Sequence, residues 1–121
     1  PGTVTSPLGI FSAEIFLYEG QKIEEKKYTK WMDYDKIKGS PCVRTRKQGD
    51  YLVVNSAGGR KKLNRVFIDE KIPAGLRDQI PVVAAVSEIL WIPGGRMNEQ
   101  YKITSTTGRV LELHYQGGVL T

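Results

Sequence analysis

Hydrophobic and polar residues alternate in the first patterned segment of the chain. Between residues 11 and 17 the odd-numbered positions, from Phe11 to Leu17, are apolar, and Ser12 and Glu14 separate them. A period of two residues predicts a β-strand with one buried face. The more highly charged segment 21–36 has a mixed pattern that allows a second strand. The first third of the chain is therefore predicted to be β-structure.

Two short β-prone runs, at residues 43–46 and 51–54, form the next pattern. The four residues between them, Lys-Gln-Gly-Asp, have the length and composition of a tight turn. Two short strands joined by a turn that contains glycine predict a β-hairpin. We expect Arg44 and Arg46 to lie on the outer face of this hairpin.

One clear helical pattern follows, over residues 60–70. Leu63, Val66 and Phe67 stand at positions i, i+3 and i+4, which gives a single apolar stripe. Pro73 lies shortly afterwards, and proline ends or breaks a helix. Residues 74–79 are predicted to add one short helical turn.

The last third of the chain again predicts strands. Residues 80–86 and 88–92 are nearly continuous apolar runs rich in Val and Ile, which is typical of central strands buried on both faces. Residues 101–104 and 109–115 are two further candidates, and in the second Leu113 and its i±2 neighbours form an apolar face. Six or more strands with one or two short helices inserted mid-chain predict an α+β fold. Its core is expected to be mostly antiparallel and β-sandwich-like.

Length and composition limit the class of protein. A chain of 121 residues is expected to form one domain whose core needs neither disulfides nor a metal. One Cys and one His argue against a disulfide scaffold and a four-ligand zinc site, and no apolar run reaches the ~20 residues of a membrane span. We assign residues 11–115 to a single domain, 1–10 to a linker or an expression remnant, and 116–121 to a tail. Because the chain begins with Pro1, we expect it to be part of a longer protein.

Positive charge is concentrated in one segment of the chain. The formal net charge is +5, yet residues 43–65 contain seven Lys and Arg and a single acidic residue, Asp50. Such clustering is typical of a surface that binds a polyanion, although a solvated face gives the same pattern. Arg60–Lys62 oppose the dipole at the predicted helix start, and Gly58 and Gly59 before them allow close approach to the backbone. We therefore expect an anion site here, with a frayed and exposed helix end as the alternative.

The number of cations indicates what kind of anion would bind. Six or seven basic residues spread over a hairpin and a helix suit a repeating phosphate backbone better than a small ligand. Tyr51 and Phe67 are the aromatic residues of this region, and Phe67 belongs to the apolar stripe. A stacking platform for single strands needs exposed rings, so double-stranded nucleic acid is the better fit.

Candidates for catalysis are weak. Cys42 and His114 are each the only residue of their type, and nothing in the sequence brings them together as a dyad. Asp33 and Asp35 could form an acid/base or metal pair, but solvated carboxylates on an edge strand are the favoured interpretation. The glycine-containing segments 56–62 and 93–96 lack both the P-loop spacing and the GxGxxG pattern. We predict no catalytic residue, metal site or cofactor site in this chain.

The order of several short motifs between Trp31 and Tyr115 is specific. They are DYDKI at 33–37, VRTRKQGD at 43–50, GRKKL at 59–63, FIDEKIP at 67–73, RDQIP at 77–81 and ILWIPGGRM at 89–97. In this respect the sequence resembles the C-terminal domain of bacterial tRNA(Ile)-lysidine synthetase. The resemblance implies a β-sandwich-like α+β fold that is also found in the phenylalanyl-tRNA synthetase β subunit.

The resemblance also implies a function. In that family an N-terminal domain binds ATP, with Mg, and adenylates C2 of the wobble cytidine of tRNA(Ile), after which lysine displaces AMP. This chain would then be the tRNA-binding accessory domain that grips the acceptor stem, while ATP and Mg belong to the N-terminal catalytic domain, which this chain lacks. A cytoplasmic location is implied as well, and an oligomer is left open.

Carried onto this sequence, the resemblance implies phosphate contacts by six cations. They are Arg44, Arg46, Arg60, Lys61, Lys62 and Arg65. Asp50 and Asp69 would orient these side chains or cap local backbone rather than contact RNA. Arg77 would pair with Asp69 or Asp78, and Arg96 would lie at the rim. One alternative is a protein-interaction or self-association module with a basic face for an acidic partner. A free-standing small enzyme is the other, although the sequence offers it no titratable pair.

Overall fold

Two β-sheets pack face to face, and one short helix covers the outer face of the second sheet. The computed structural model describes residues 2–6, 8–23 and 26–117. The strands are β1 Gly2–Ser6, β2 Gly9–Leu17, β3 Thr29–Asp33, β4 Cys42–Arg44, β5 Tyr51–Val53, β6 Arg60–Lys62, β7 Val82–Ala85, β8 Glu88–Trp91 and β9 Arg109–Gln116. The helix is α1 Leu63–Asp69, and 3₁₀ turns cover Tyr34–Lys36, Ala74–Gln79 and Glu99–Tyr101. The predicted α+β class with a mostly antiparallel sandwich core is confirmed.

The first sheet is antiparallel throughout, with the strand order β1-β2-β9-β3. Alternation along β9 places Leu111, Leu113 and Tyr115 in the core between the sheets. Phe11 of β2 joins them, with its ring centre 4.7 Å from that of Tyr115. The period-two pattern therefore predicted both strands correctly. Leu17 departs from it and is 65% exposed, because it belongs to the last residue pair of the β2–β9 ladder.

The second sheet has the order β4-β7-β8-β5-β6, so β7 and β8 lie inside it. All four residues of β7 are buried. Val83 and Ala85 face the first sheet, whereas Val82 and Ala84 face α1. The prediction of central strands is confirmed, because a strand covered on both faces needs apolar residues at successive positions.

Helix α1 closes a second core on the outer face of this sheet. Leu63, Val66 and Phe67 are no more than 1% exposed and pack against the sheet. The helix is shorter than predicted at both ends. Arg60–Lys62 pair with β5 as strand β6, and at Lys71 the backbone turns to a φ of 59°, which ends the helical path. The apolar stripe was correct, but the basic helix start was wrong.

The predicted hairpin of residues 43–54 is also wrong. Strand β4 pairs with β7, while β5 pairs with β6 and makes one parallel pair with β8. The apolar strands β7 and β8 take the central positions, where both of their faces become buried. Strands β4 and β5 are thereby separated, and the segment between them forms a loop.

Three smaller differences concern the chain ends and the second half. Gly2–Ser6, assigned above to the linker, form an edge strand paired with β2. The strand predicted at 101–104 is absent from the described structure, because Tyr101 ends a 3₁₀ turn that buries its ring and directs its hydroxyl to Glu88. Gln116, assigned to the tail, ends β9, and residues 118–121 lie outside the described part.

Candidate nucleic-acid interface

Three elements meet at one end of the second sheet and carry most of the predicted phosphate contacts. They are the loop 45–50, the end of β6 and the start of α1. The Leu63 amide donates to the Asp50 carbonyl at 2.9 Å, which joins the loop to the helix. Lys62, at the end of β6, pairs with Tyr51 at the start of β5. Tertiary pairing thus gathers cations that the sequence holds in two separate groups.

Arg44 is mostly buried at this end of the sheet. Its guanidinium binds both carboxylate oxygens of Asp50 at 2.8 Å, and it also donates to the carbonyls of Thr45 and Val86. The side chains are 13% and 2% exposed, and the hydrogen bond to Asp50 raises the pKa of Arg44. Four of the five N–H donors of the guanidinium are therefore occupied. The structure does not place Arg44 on an outer face and gives it the role of holding the loop.

Arg46 is partly occupied. Its Nε donates to Asp78 Oδ1 at 2.7 Å and its Nη1 to Asn64 Oδ1 at 2.8 Å, so it ties the loop to α1 and to the following 3₁₀ turn. Asp78 had been expected to pair with Arg77, but Arg77 instead donates its Nε to the carbonyl of Ile72. A carboxylate therefore already balances the charge of Arg46.

The three cations of strand β6 lie on both of its faces. Lys61 lies on the side of α1, where its Nζ is 2.6 Å from Asp69 Oδ2. Arg65 approaches the other oxygen of Asp69 at 3.4 Å. The hydrogen bond from Lys61 is the main reason why the pKa of Asp69 lies below its usual value. The expectation that Asp50 and Asp69 orient basic side chains is confirmed.

Arg60 and Lys62 lie on the opposite side of β6, because side chains two residues apart share one face of a strand. Both are exposed, and within the described ranges neither forms an ion pair. The Arg60 guanidinium carbon lies 4.5 Å from the centre of the Tyr51 ring, which fixes its direction without neutralising it. Their positions along the strand differ by about 6.6 Å. Two uncompensated cations at this spacing can contact neighbouring phosphates.

The glycines before β6 build a turn rather than an anion site. Asn55 Oδ1 accepts the amides of Ala57 and Gly59 at 3.1 and 2.9 Å. A Cβ at Gly59 would lie 2.6 Å from Asn55 Nδ2, and Gly58 has a φ of 85°. With its amides occupied in this way, the turn does not fit the phosphates of ATP. The prediction that Arg60–Lys62 start a helix was wrong, because they form a strand, whereas anion binding by these cations stays a prediction.

The remaining candidates for catalysis or metal binding either have structural partners or lie in different sheets. Asp33 is buried and accepts a hydrogen bond from Thr107, while Asp35 pairs with Arg109 at 2.6 Å, so they are not two solvated carboxylates. Cys42 belongs to the second sheet and His114 to the first. Among the residues described, no three His, Cys, Asp or Glu side chains are grouped as metal ligands. Nor does this part of the chain contain a helix long and apolar enough to cross a membrane.

One cavity was not predicted from the sequence. A cavity of about 450 Å³ lies beside edge strand β3, where Trp31, Arg96 and Lys102 meet. These three residues are far apart in the sequence, and no local pattern connects them. From the sequence, only Arg96 was placed, at the rim of the expected RNA-binding surface. The cavity exists because the segment 95–103 packs against β3, so only the tertiary structure shows it.

Comparison with known proteins places the chain in a family. Residues 42–113 match the family model described as the TilS substrate C-terminal domain. The tRNA(Ile)-lysidine synthase of Caldanaerobacter subterraneus subsp. tengcongensis is 41% identical over 117 residues, which is 95% of this chain. The chain belongs to the C-terminal domain family of tRNA(Ile)-lysidine synthases. The resemblance inferred from the motifs is thereby confirmed.

Other members of the family agree in sequence and in structure. The tRNA(Ile)-lysidine synthase of Clostridium tetani is 40% identical over 90 residues, 74% of this chain and 19% of that protein. A crystal structure of the TILS C-terminal domain superposes with a TM-score of 0.77 at 30% identity, and the match covers 97% of this chain and 91% of that one. The chain spans about a quarter of the length of the Caldanaerobacter relative.

Proposed function

We propose that this chain is the tRNA-binding accessory domain of a tRNA(Ile)-lysidine synthase. The relatives carry that name, and the chain corresponds to the C-terminal quarter of such a protein. In this proposal another domain uses ATP and Mg to ligate lysine to C2 of the wobble cytidine of tRNA(Ile), in the cytoplasm. The present domain, one folding unit, contributes by holding the acceptor stem through its phosphates.

The observation that carries the proposal is the pair Arg60 and Lys62 on one face of edge strand β6. Both are exposed and uncompensated by a carboxylate within the described residues. An A-form stem is recognised mainly by its shape and by phosphate and 2′-hydroxyl contacts, which set register and affinity rather than sequence. A rigid strand that presents two cations in line supplies contacts of this kind.

The other four predicted cations receive different weights. Lys61 and Arg65 share the carboxylate of Asp69, and Arg46 is paired with Asp78, so each would exchange an existing partner for a phosphate. Their contribution to binding is therefore expected to be smaller. Arg44 supports the loop beneath this surface and is left out of the proposed contacts.

A salt titration tests the proposal. The affinity for unmodified tRNA(Ile), with elongator tRNA(Met) as competitor, should fall linearly on a logarithmic plot against salt concentration. The double variant Arg60→Ala/Lys62→Ala should bind about tenfold more weakly, and its slope should be shallower by about 1.4 to 1.8, since each phosphate contact contributes about 0.7 to 0.9. Lys22→Ala/Lys38→Ala removes the same charge from exposed positions elsewhere and should leave the slope unchanged.

The outcomes separate the hypotheses. An unchanged affinity and slope in the β6 variant would remove Arg60 and Lys62 from the interface. Equal binding of both tRNAs with one slope would show that the domain clamps a stem while identity is read elsewhere. No binding even at low salt would overturn the tRNA function and favour an acidic protein partner for the basic face.

A further inference from the structure

The cavity beside β3 combines an aromatic wall with positive charge. It has a volume of about 450 Å³ and lies between the edge strand β3 and the segment 95–103. Trp31, Met97 and Ile103 supply apolar surface, Lys30, Arg96 and Lys102 supply cations, and Glu99 supplies one carboxylate. The volume lies within the range of about 300 to 1,000 Å³ that is usual for small-ligand sites. An aromatic ring next to cations suits a ligand with a flat ring and a negative charge.

The indole of Trp31 is held in place before any ligand arrives. Its Nε1 donates to Glu112 Oε2 at 2.5 Å, and the Phe16 ring contacts it edge-on with centres 4.9 Å apart. Despite these contacts Trp31 is only half-buried and lines the cavity. A ring already fixed in orientation loses little conformational entropy when a base stacks on it. Trp31 is therefore suited to be a stacking surface.

Positive charge at the cavity is incompletely balanced. Lys102 pairs with Glu99 at 2.9 Å, but Arg96 forms no ion pair within the described residues and donates its Nη2 to the carbonyl of Val54 at 3.1 Å. The amide of Val54 in turn donates to the carbonyl of Gly59, the residue before Arg60. Arg96 thus connects the cavity to the hairpin of β5 and β6, which carries the proposed phosphate contacts Arg60 and Lys62.

We propose that this cavity binds one unpaired nucleotide at the single-stranded end of the RNA whose stem contacts β6. The base stacks on Trp31 and its phosphate lies against Arg96, with Lys102 at the mouth. This inference rests on the proposed function, because the stem bound at β6 delivers the strand end to the cavity. Trp31 lies outside the basic segment 43–65, so the scarcity of exposed rings in that segment does not exclude a stacked base here.

Tryptophan fluorescence offers a direct measurement. The chain has two tryptophans, and Trp91 is 0% exposed, so quenching by a stacked base reports on Trp31. The probes are an RNA hairpin with a blunt end and the same hairpin with a four-nucleotide 3′ extension. The extended hairpin is expected to quench the fluorescence and to bind about tenfold more tightly, which corresponds to one stacked base.

Two variants localise the effect. Trp31→Ala should abolish the advantage of the extension while leaving the affinity for the blunt hairpin unchanged. Because Trp31 also packs against Phe16, Lys102→Glu provides a second test that leaves the ring in place. The Lys102 side chain is 57% exposed, so the reversal should keep the fold and weaken only the extended hairpin severalfold. Lys38→Glu at an exposed site serves as the matched control.

The results distinguish failure of this inference from failure of the proposed function. Equal affinity for the two hairpins, without quenching, would overturn the cavity site and leave the β6 interface standing. If AMP quenches the fluorescence of Trp31 and binds as tightly as the extended hairpin, the cavity is a site for a free nucleotide. That result would overturn the assignment to an RNA end. Absence of binding by either hairpin at low salt would overturn both proposals.

Discussion

Arg44 and Lys62 are cations of the same sheet, but their surroundings are opposite. Arg44 lies under a loop with its guanidinium on Asp50, whose side chain is 2% exposed. Lys62 is exposed at the end of an edge strand and forms no ion pair within the described ranges. Both residues lie on edge strands, so the difference comes from what faces each side chain. Arg44 faces the chain that returns at Asp50, whereas no carboxylate of the described residues pairs with Lys62.

The contrast shows that basic residues in one segment can serve stability or binding but seldom both. When one partner of a buried ion pair is removed, the other charge stays buried without compensation, which destabilises the fold. An exposed cation adds little to stability and remains available for a ligand. The predictions below test this division and the turn that Arg44 supports, from the largest expected effect to the smallest.

Arg44→Ala should destabilise the domain by about 3–5 kcal/mol, because Asp50 would remain buried without its partner. Urea denaturation measures this change. Arg60→Ala/Lys62→Ala is the matched comparison and should cost no more than about 1 kcal/mol, mainly the contact of Arg60 with Tyr51.

A double variant checks the physical cause. Arg44→Met/Asp50→Asn removes the stranded charge while an amide oxygen can still accept the Lys47 amide, which now donates to Asp50. It should be more stable than Arg44→Ala. A loss below about 1 kcal/mol in Arg44→Ala would contradict the division, since it is the size expected of a surface pair.

Val86→Gly should stabilise the protein by about 1 kcal/mol or less. Val86 forms the β7–β8 turn with a φ of 57°, which is unfavourable for a β-branched residue, and its side chain is 82% exposed. Its carbonyl accepts a hydrogen bond from Arg44, so the buried pair helps to hold the turn in this conformation. Thermal unfolding measures the gain. Val86→Ala keeps the Cβ but loses the branch and should show only part of the gain, so an equal gain in both variants would refute the strain attributed to the Cβ.

The pair Lys61–Asp69 should give the smallest effect, a pH dependence at acid pH. The hydrogen bond from Lys61 lowers the pKa of Asp69 in the folded protein. Its stabilisation is therefore complete above the unfolded pKa, near 3.9, and is lost as the pH falls through the lower folded value. An NMR titration of the Asp69 carboxyl should move to higher pH in Lys61→Met. An identical titration in both proteins would show that the contact is not formed in solution.

Local patterns predicted the elements whose surroundings are simple. Alternation along 109–115 and the apolar runs at 80–86 and 88–92 identified β9, β7 and β8, because burial on one or two faces leaves a direct trace in the residue order. The stripe of Leu63, Val66 and Phe67 located α1 for the same reason. Motif order identified the family.

Other predictions depended on partners distant in the sequence and failed. A short run such as 43–46 carries no information about whether β5 or β7 will pair with it. The basic start assigned to α1 could not be separated from a strand, since three lysines and arginines suit either. Tyr101 was taken for a strand residue because its buried hydrogen bond to Glu88 has no local signature.

The sequence by itself determined the class of fold, the position of the helix core, the family and the segment that carries the excess positive charge. Tertiary structure decided which of those charges are available. Asp50, Asp69 and Asp78 compensate Arg44, Lys61 and Arg46, and each ion pair is a contact between separate elements. It also assembled Trp31 and Arg96 around one cavity. Burial and charge pairing are properties of three-dimensional neighbours, and residue order specifies them only through the complete fold.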